Sequence, residues 1–346
     1  MVSPVKDAAW IEWITRLMGE SPESRTVRRG LPASRFYCLL DEQPTHLVPR
    51  RVAPLSASSI TSDLIVNPHC VFCQNGELPS ELTAYPDLFE NFALVGIIAW
   101  VRDPATEAWA PFWLGPEFTA LLSGVRPGDP APAHLPEPVR EILVRAAVLV
   151  SRDAASERRR HWSEVAVGMR QHFQRMFVPV PGLIHPFHLG ALRRYYRYLI
   201  RNGRIQLGDD QSPRRYGAHN EPVARFFHHQ LLATVSSIVG EPIKPSYVYL
   251  CSYLGGSDLE KHTDREQCEF TITCCLDFSP ETARYTPWPL HVDTQEGKLT
   301  LYQALGDGFL FRGRELPHYR NPLAQGRTST SIFFHYVRQE FTGSLR

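Results

Sequence analysis

Four residues in the last third of the chain have the types and the spacing of a metal site with a nearby cation. Asp264 follows His262 by two residues, and His318 lies 54 residues after Asp264. Arg327 comes nine residues after His318. Two imidazoles and one carboxylate form the facial triad that suits iron(II), because this ligand set leaves coordination positions open. Open positions are what oxygen chemistry requires, so the sequence predicts an iron site formed by His262, Asp264 and His318.

Alternating residues on both sides of the His262–Asp264 pair predict the strands that would position it. Residues two apart in an extended chain point to the same side, so His262 and Asp264 could hold one ion. The alternating residues are Tyr247, Tyr249, Cys251 and Tyr253 before the pair, and Cys268, Phe270, Ile272, Cys274, Leu276 and Phe278 after it. A period of two is typical of β-strands. The pair is therefore predicted to lie at the junction of two strands.

The end of the chain predicts a further strand that faces the same site. A last strand over residues 327–337 would place Arg327 and Ser329 on one face, where both side chains could reach a single ligand. Two other histidines compete with His318 as the third metal ligand. His291 lies far from any following Arg-x-Ser, and His335 is predicted to pack inside the barrel.

The order His-x-Asp, then His, then Arg-x-Ser resembles the catalytic core of the 2-oxoglutarate and iron(II)-dependent oxygenases, particularly the prolyl-hydroxylase-like branch. The resemblance covers roughly residues 245–338. It implies a double-stranded β-helix, a jelly-roll, cupin-like barrel, in which the two histidines and the aspartate bind Fe(II). It also implies that Arg327 binds the far carboxylate of 2-oxoglutarate, that Ser329 adds a hydrogen bond, and that Tyr253 lies near this co-substrate.

The resemblance implies hydroxylation of an unactivated C–H bond by O2, with 2-oxoglutarate converted to succinate and CO2. Family members that halogenate lack the carboxylate at the position of Asp264, so its presence favours hydroxylation or a related desaturation. Two departures from the prolyl hydroxylases bear on the substrate. Cys275 stands where they often have a tyrosine, and residues 285–290 replace their Gly-Gly-x-Thr segment. Proline as the substrate therefore does not follow.

The substrate is predicted only as a class: an amino acid, a peptide or protein residue, or a related biosynthetic intermediate. Arg265, Arg312 and Arg314 near the metal-bearing loops would suit an anionic group. Arg215 and Tyr216, at the end of a polar, loop-like segment over residues 208–216, could also line the site. Two functions of other classes stay open, namely a cupin-like metal-dependent isomerase and a non-catalytic ligand-binding barrel.

The chain is predicted to divide into two domains, of α+β class with a mainly β core. Residues 1–155 would form a separate N-terminal mixed or helical domain that recognises a peptide or another substrate. Residues 156–346 would form the oxygenase domain, with helical support over 160–240 and the jelly-roll core over 245–338. Within the N-terminal domain, residues 118–150 faintly resemble the small winged-helix modules that bind leader peptides. An ordinary helical domain packed on the catalytic core is the simpler alternative.

Composition narrows the class of protein. The 346 residues are 43% hydrophobic, which is enough for a large core, and the formal net charge is only +1. Neither nucleic-acid nor membrane partners are expected from this balance, and no apolar run approaches the ~20 residues that span a bilayer. The expected location is cytoplasmic.

The cysteines do not indicate a secreted, disulfide-bonded protein, because there are seven of them, an odd number, and they are scattered along the chain. His69, Cys70 and Cys73 could begin a zinc site, but no second half appears at a suitable spacing. The three residues are therefore expected to be structural.

Overall fold

The computed structural model describes residues 30–42, 63–209 and 212–345. An opening helix predicted around residues 8–18 lies outside these ranges, and so does much of an irregular segment predicted over residues 28–60. No helix within the described ranges is both long enough and apolar enough to cross a membrane.

The described residues form sixteen strands. In chain order they are β1 (Leu64–Val66), β2 (Cys70–Gln74), β3 (Ile97–Arg102), β4 (Trp109–Leu114), β5 (Leu149–Ser151), β6 (Phe177–Val180), β7 (Gln206–Leu207), β8 (Arg215–His219), β9 (Ile243–Leu254), β10 (Leu259–His262), β11 (Phe270–Ser279), β12 (Leu290–Thr294), β13 (Gly297–Leu301), β14 (Gly308–Phe311), β15 (His318–Arg320) and β16 (Thr328–Arg338).

Six α-helices lie within the same ranges. They are α1 (Pro116–Leu121), α2 (Glu137–Arg145), α3 (Ala154–Phe173), α4 (Pro186–Arg201), α5 (Pro222–Gln230) and α6 (Leu232–Val239). Short 3₁₀ turns lie at Leu40–Glu42, Ser80–Leu82 and Pro86–Phe89.

Strands β9 to β16 form a barrel of two antiparallel sheets. The larger sheet has the order β6-β14-β11-β16-β9-β8-β7, and the smaller has the order β10-β15-β12-β13. Between β9 and β16 the chain passes from one sheet to the other at almost every step, which is the topology of a double-stranded β-helix. The predicted jelly-roll barrel with supporting helices is thereby confirmed.

The two faces of β11 have different surroundings. Phe270, Ile272 and Leu276 point away from the barrel and pack in the main hydrophobic core with the helices. A register shift between Cys275 and Asp277 interrupts the alternation. Unbroken alternation predicted that Phe278 would share the face of Leu276. Because of the shift, Phe278 instead joins an interior cluster with Tyr253.

Helices α5 and α6 meet at Leu231. The N-cap of α5 is Glu221, whose carboxylate accepts a hydrogen bond from the backbone N–H of Ala224. The neighbouring Asn220 accepts a hydrogen bond from the backbone N–H of Val248 on β9. Asn220 therefore connects the N-terminus of α5 to the barrel.

The N-terminal region contains a three-stranded antiparallel sheet, β2-β3-β4. Its buried side chains belong to the same hydrophobic core as the helices next to the barrel. Phe36, for example, contacts Phe227 on α5 with 5.9 Å between ring centroids. Cys70 and Cys73 are buried in this core as free thiols, and burial raises the pKa of Cys70 to about 12. That the region is a separate domain with a recognition role stays a prediction.

Candidate metal centre

The three predicted metal ligands come together at the junction of β10 and β15. His262 and His318 are register partners on these two strands. Asp264 follows directly after β10, and its Oδ1 lies 3.6 Å from His262 Nε2 and 3.5 Å from His318 Nε2. One ligand atom from each residue lies within 4.8 Å of the others. The predicted triad is therefore a spatial cluster with the geometry of a candidate metal site.

Backbone carbonyls orient both imidazoles in the same way. His262 Nδ1 lies 2.8 Å from the carbonyl oxygen of Glu260, and His318 Nδ1 lies 2.9 Å from that of Leu316. A carbonyl can only accept, so each Nδ1 carries the proton and donates it. The lone pair of each Nε2 is then directed toward Asp264, as a metal ligand requires.

Asp264 is held on both sides. Its backbone N–H donates to the carbonyl of Gly313 at 2.9 Å, and its Oδ2 accepts from the Thr271 hydroxyl at 2.7 Å. Thr271 Oγ1 also lies 3.0 Å from His335 Nδ1. A Cβ at Gly313 would overlap the Asp264 carboxylate and lie 2.8 Å from Thr271 Oγ1. Gly313 is therefore required for the position of the carboxylate.

The charges of the cluster suit a divalent cation. Burial raises the pKa of Asp264, but the contact with His262 and the proximity of His318 outweigh it and lower this pKa to about 2. The same carboxylate raises the pKa of His262, whereas burial lowers the pKa of His318. At neutral pH the cluster thus contains an ionised carboxylate and at least one neutral imidazole.

The two competing histidines have other partners. His335 forms a second group with Asp264 and Cys268 whose atoms also lie within 4.8 Å, but burial raises the pKa of the Cys268 thiol to about 12. This group also offers a thiol in place of the second imidazole, so it is not the two-imidazole, one-carboxylate set that suits iron(II). His291 lies 3.1 Å from Thr300 Oγ1 and belongs to neither group. The geometry therefore favours His318 as the third ligand.

The predicted co-substrate residues lie in one row across the larger sheet. Ser329 pairs with Phe278 on one side and with Tyr253 on the other. Arg327 precedes β16, and its guanidinium carbon lies 5.9 Å from the centroid of the Phe278 ring. No carboxylate among the described residues pairs with Arg327. The role of this row in binding 2-oxoglutarate stays a prediction.

The structure separates Arg215 from Tyr216. Arg215 is the register partner of Tyr253 and faces the barrel interior, where its Nε donates to Asp209 Oδ2 at 2.6 Å. Tyr216 points to the opposite face and is buried in the main hydrophobic core. Adjacent residues of a strand point to opposite sides, so only Arg215 can face the site.

The three predicted substrate arginines lie in different places. Arg265 is exposed beside Asp264, and its guanidinium carbon lies 5.8 Å from the centroid of the Tyr247 ring. Arg312 packs against Phe270 on the outer face of the barrel and contacts Glu241 and Glu315. Arg314 lies 3.9 Å from Glu269. Of the three, only Arg265 has no carboxylate partner among the described residues, and its role toward a substrate stays a prediction.

A functional candidate that the sequence prediction missed is Arg320. It lies two residues after His318 on β15 and therefore shares its inward face. Its guanidinium stacks on Trp288 at 4.7 Å and donates to the carbonyl of Trp288 and to Gln303 Oε1. The signal was available, because the two-residue offset that joins His262 to Asp264 also joins His318 to Arg320.

Solved structures with a similar backbone were found, each aligned over about half of this chain. SnoN, a non-heme alpha-ketoglutarate-dependent epimerase from nogalamycin biosynthesis, has a TM-score of 0.43 and 11% identity over 51% of this chain and 83% of its own. HygX from Streptomyces hygroscopicus, solved with nickel, 2-oxoglutarate and hygromycin B, has a TM-score of 0.41 and 15% identity over 51% of this chain and 88% of its own. A Pseudomonas putida prolyl-4-hydroxylase has a TM-score of 0.42 and 12% identity over 50% and 99%. The sequence matches no protein-family profile and no curated protein.

Proposed function

We propose that this protein is a 2-oxoglutarate- and Fe(II)-dependent oxygenase. It would hydroxylate an unactivated C–H bond of an amino acid, a peptide or protein residue, or a related biosynthetic intermediate. 2-Oxoglutarate and O2 would be consumed, and succinate and CO2 would be released. The proposal depends on the family resemblance of the sequence and on the cluster formed by His262, Asp264 and His318.

One observation carries the proposal: both imidazoles direct Nε2 at the same carboxylate oxygen, from neighbouring strands inside a barrel. This donor set fits iron(II), which accepts two imidazoles and one carboxylate and keeps positions open for other ligands. Gly313 supports the proposal, because a Cβ at this residue would occupy the space of the Asp264 carboxylate. Iron(II) bound here would supply the redox chemistry that activates O2.

The residues of the chain would bind and orient the reactants. His262, Asp264 and His318 would hold the metal, and Thr271 would fix the Asp264 carboxylate through its hydroxyl. Arg327 would hold the far carboxylate of 2-oxoglutarate, because a guanidinium binds a carboxylate through two parallel hydrogen bonds. Tyr253 and Ser329, which are register partners, would complete that end of the site.

Succinate release that depends on Fe(II), 2-oxoglutarate and O2 tests the proposal directly. We expect it to rise when a panel of amino acids and peptides contains the substrate, and we expect direct binding of 2-oxoglutarate to the metal-loaded protein. Failure to bind 2-oxoglutarate would remove the oxygenase proposal. Metal binding without 2-oxoglutarate binding would favour the isomerase, and a barrel that binds neither would favour a non-catalytic role.

A matched pair of variants tests the assignments within the site. Arg327→Leu should weaken 2-oxoglutarate binding and leave metal affinity unchanged. Asp264→Ala should weaken the binding of the metal itself. If Arg327→Leu binds 2-oxoglutarate like the parent, Arg327 is not the residue that holds the far carboxylate.

A further inference from the structure

Three arginines are buried in the described part of the chain, and one of them differs from the others. Arg193 is 8% exposed and Arg215 is 4% exposed, and both form ion pairs with aspartates. Arg320 is 5% exposed, yet no carboxylate among the described residues pairs with it. A buried charge is costly unless an opposite charge or strong hydrogen bonds compensate it. Arg320 therefore has the environment of a cation that receives an anion from outside the chain.

The protein partners of Arg320 position it without neutralising it. Its Nη1 donates to the backbone carbonyl of Trp288, and its Nη2 donates to the side-chain oxygen of Gln303 at 3.2 Å. The Trp288 ring lies against its face at 4.7 Å. Both acceptors are neutral, so the guanidinium is fixed in direction and keeps its full charge.

Arg320 lies on the same strand and the same inward face as His318, two residues further along β15. It is as deeply buried as this predicted ligand, since both residues are 5% exposed. Two residues of a strand span roughly 6.6 Å. A dicarboxylate that chelates the metal through its 2-oxo acid end would extend its other carboxylate in this direction.

Small, neutral side chains surround this level of the barrel. Ser331 pairs with Cys275 on one side and Cys251 on the other, and the charge of Arg320 acts on both of these cysteines. Burial raises the pKa of both thiols to about 12, so the row carries no negative charge of its own. The described residues provide no carboxylate for Arg320, so an incoming carboxylate would be its counter-ion.

We infer that Arg320 is a second binding residue for the far carboxylate of 2-oxoglutarate, in addition to Arg327. The inference rests on the proposed function, and it extends the Arg-x-Ser assignment to a residue on the strand that carries His318. In this role Arg320 would bind the co-substrate, and His262, Asp264 and His318 would hold the metal.

Direct binding to the Mn(II)-loaded protein tests the inference without turnover. Calorimetric titration would compare 2-oxoglutarate with 2-oxobutanoate, which has the same 2-oxo acid end but lacks the far carboxylate. Loss of a charge-assisted contact should weaken 2-oxoglutarate binding by roughly 10- to 100-fold in Arg320→Gln. Binding of 2-oxobutanoate should stay within about twofold of the parent, because it cannot use Arg320. Arg320→Lys, which retains the charge, should recover part of the loss.

Two controls separate this role from a purely structural one. Arg145→Gln removes an exposed arginine paired with Glu141 on α2 and should bind both acids like the parent. Mn(II) affinity and the thermal unfolding midpoint show whether Arg320→Gln and Arg320→Lys retain the folded metal centre.

Each result has a distinct meaning. Equal loss of both acids in Arg320→Gln and Arg320→Lys would overturn the inference, because it would indicate general damage. Unchanged 2-oxoglutarate binding in Arg320→Gln would also overturn it, while a loss in Arg327→Leu would leave the proposed function standing. A parent protein that binds Mn(II) but not 2-oxoglutarate would remove the proposed function and the inference together.

Discussion

His262 and His318 face each other as register partners on β10 and β15, with their ring centroids 4.3 Å apart. Leu259 pairs with Arg320 on the same two strands, so the register shifts by one residue between these pairs. Without that bulge, Lys261 would stand opposite His318. The bulge therefore presents an imidazole to the interior where a regular strand would present an ammonium group.

Thr271 is expected to matter for metal affinity although it cannot be a strong ligand itself. Its hydroxyl donates to Asp264 Oδ2, and loss of such an outer hydrogen bond costs roughly 10- to 100-fold in metal affinity. Thr271→Val should show this loss in a Mn(II) titration. Thr271→Ser keeps the hydroxyl and is the control. Parent-like affinity in the valine variant would mean that Asp264 does not need this hydrogen bond.

A single methyl group at Gly313 should disrupt the metal centre. In Gly313→Ala the new Cβ would overlap the Asp264 carboxylate, so the carboxylate must move and Mn(II) affinity should fall by more than about tenfold. Gly168→Ala is the matched control, because Gly168 lies within α3 and a Cβ there meets no atom within 4 Å. That variant should keep its metal affinity and gain up to about 1 kcal/mol in stability.

Metal affinity is expected to fall as the pH decreases. The contact with Asp264 raises the pKa of His262 above its usual 6.5, and a protonated imidazole cannot bind a metal. Protons should therefore compete with the metal already at pH values above 6.5. Affinity should then decrease by about tenfold per pH unit once His262 is mostly protonated. Mn(II) titrations at pH 8, 7 and 6 measure the slope.

The slope is assigned to His262 because, of the three predicted ligands, it is the one whose pKa is raised. The pKa of Asp264 is lowered to about 2, and burial lowers the pKa of His318. An affinity that stays constant from pH 8 to pH 6 would contradict the raised pKa of His262 or its role as a ligand.

Asp277 is expected to be a large contributor to stability. Its carboxylate accepts hydrogen bonds from Arg193 and Arg197 on α4 and is almost completely buried. Asp277→Asn would remove the buried negative charge that both guanidinium groups share and should cost roughly 3–5 kcal/mol in the free energy of unfolding. Denaturant titration measures the loss. Glu281, whose side chain is 42% exposed, also contacts Arg193, and Glu281→Gln should cost less than about 1 kcal/mol.

The barrel and the clustering of His262, Asp264 and His318 could be predicted because both follow from short-range rules. Alternation identified the strands that carry Tyr253 and Ser329, and the two-residue offset placed His262 beside Asp264. Two bulges could not be predicted, because a one-residue shift is decided by tertiary packing and not by local propensity. Phe278 was therefore assigned to the wrong face.

The substrate arginines show the second limit of the sequence. Arg312 and Arg314 follow β14 closely, yet their side chains contact glutamates, and only the structure shows which carboxylates are within reach. Arg320 shows the reverse case, because no carboxylate in the described part of the chain pairs with it. Charge pairing depends on residues far apart in the chain, and no spacing rule reports it.

Trp288 connects several parts of the barrel interior. Its ring contacts Arg320 on one side and lies 4.9 Å from the centroid of Tyr253, while its indole N–H donates to the carbonyl of Asn321. An anion that arrived beside Arg320 would change the electric field across this indole. The fluorescence of Trp288 would therefore change when an anion binds. The difference in fluorescence between the parent and Trp288→Phe would isolate its signal from the other six tryptophans. Occupancy of the deep end of the barrel could then be followed in solution without a label.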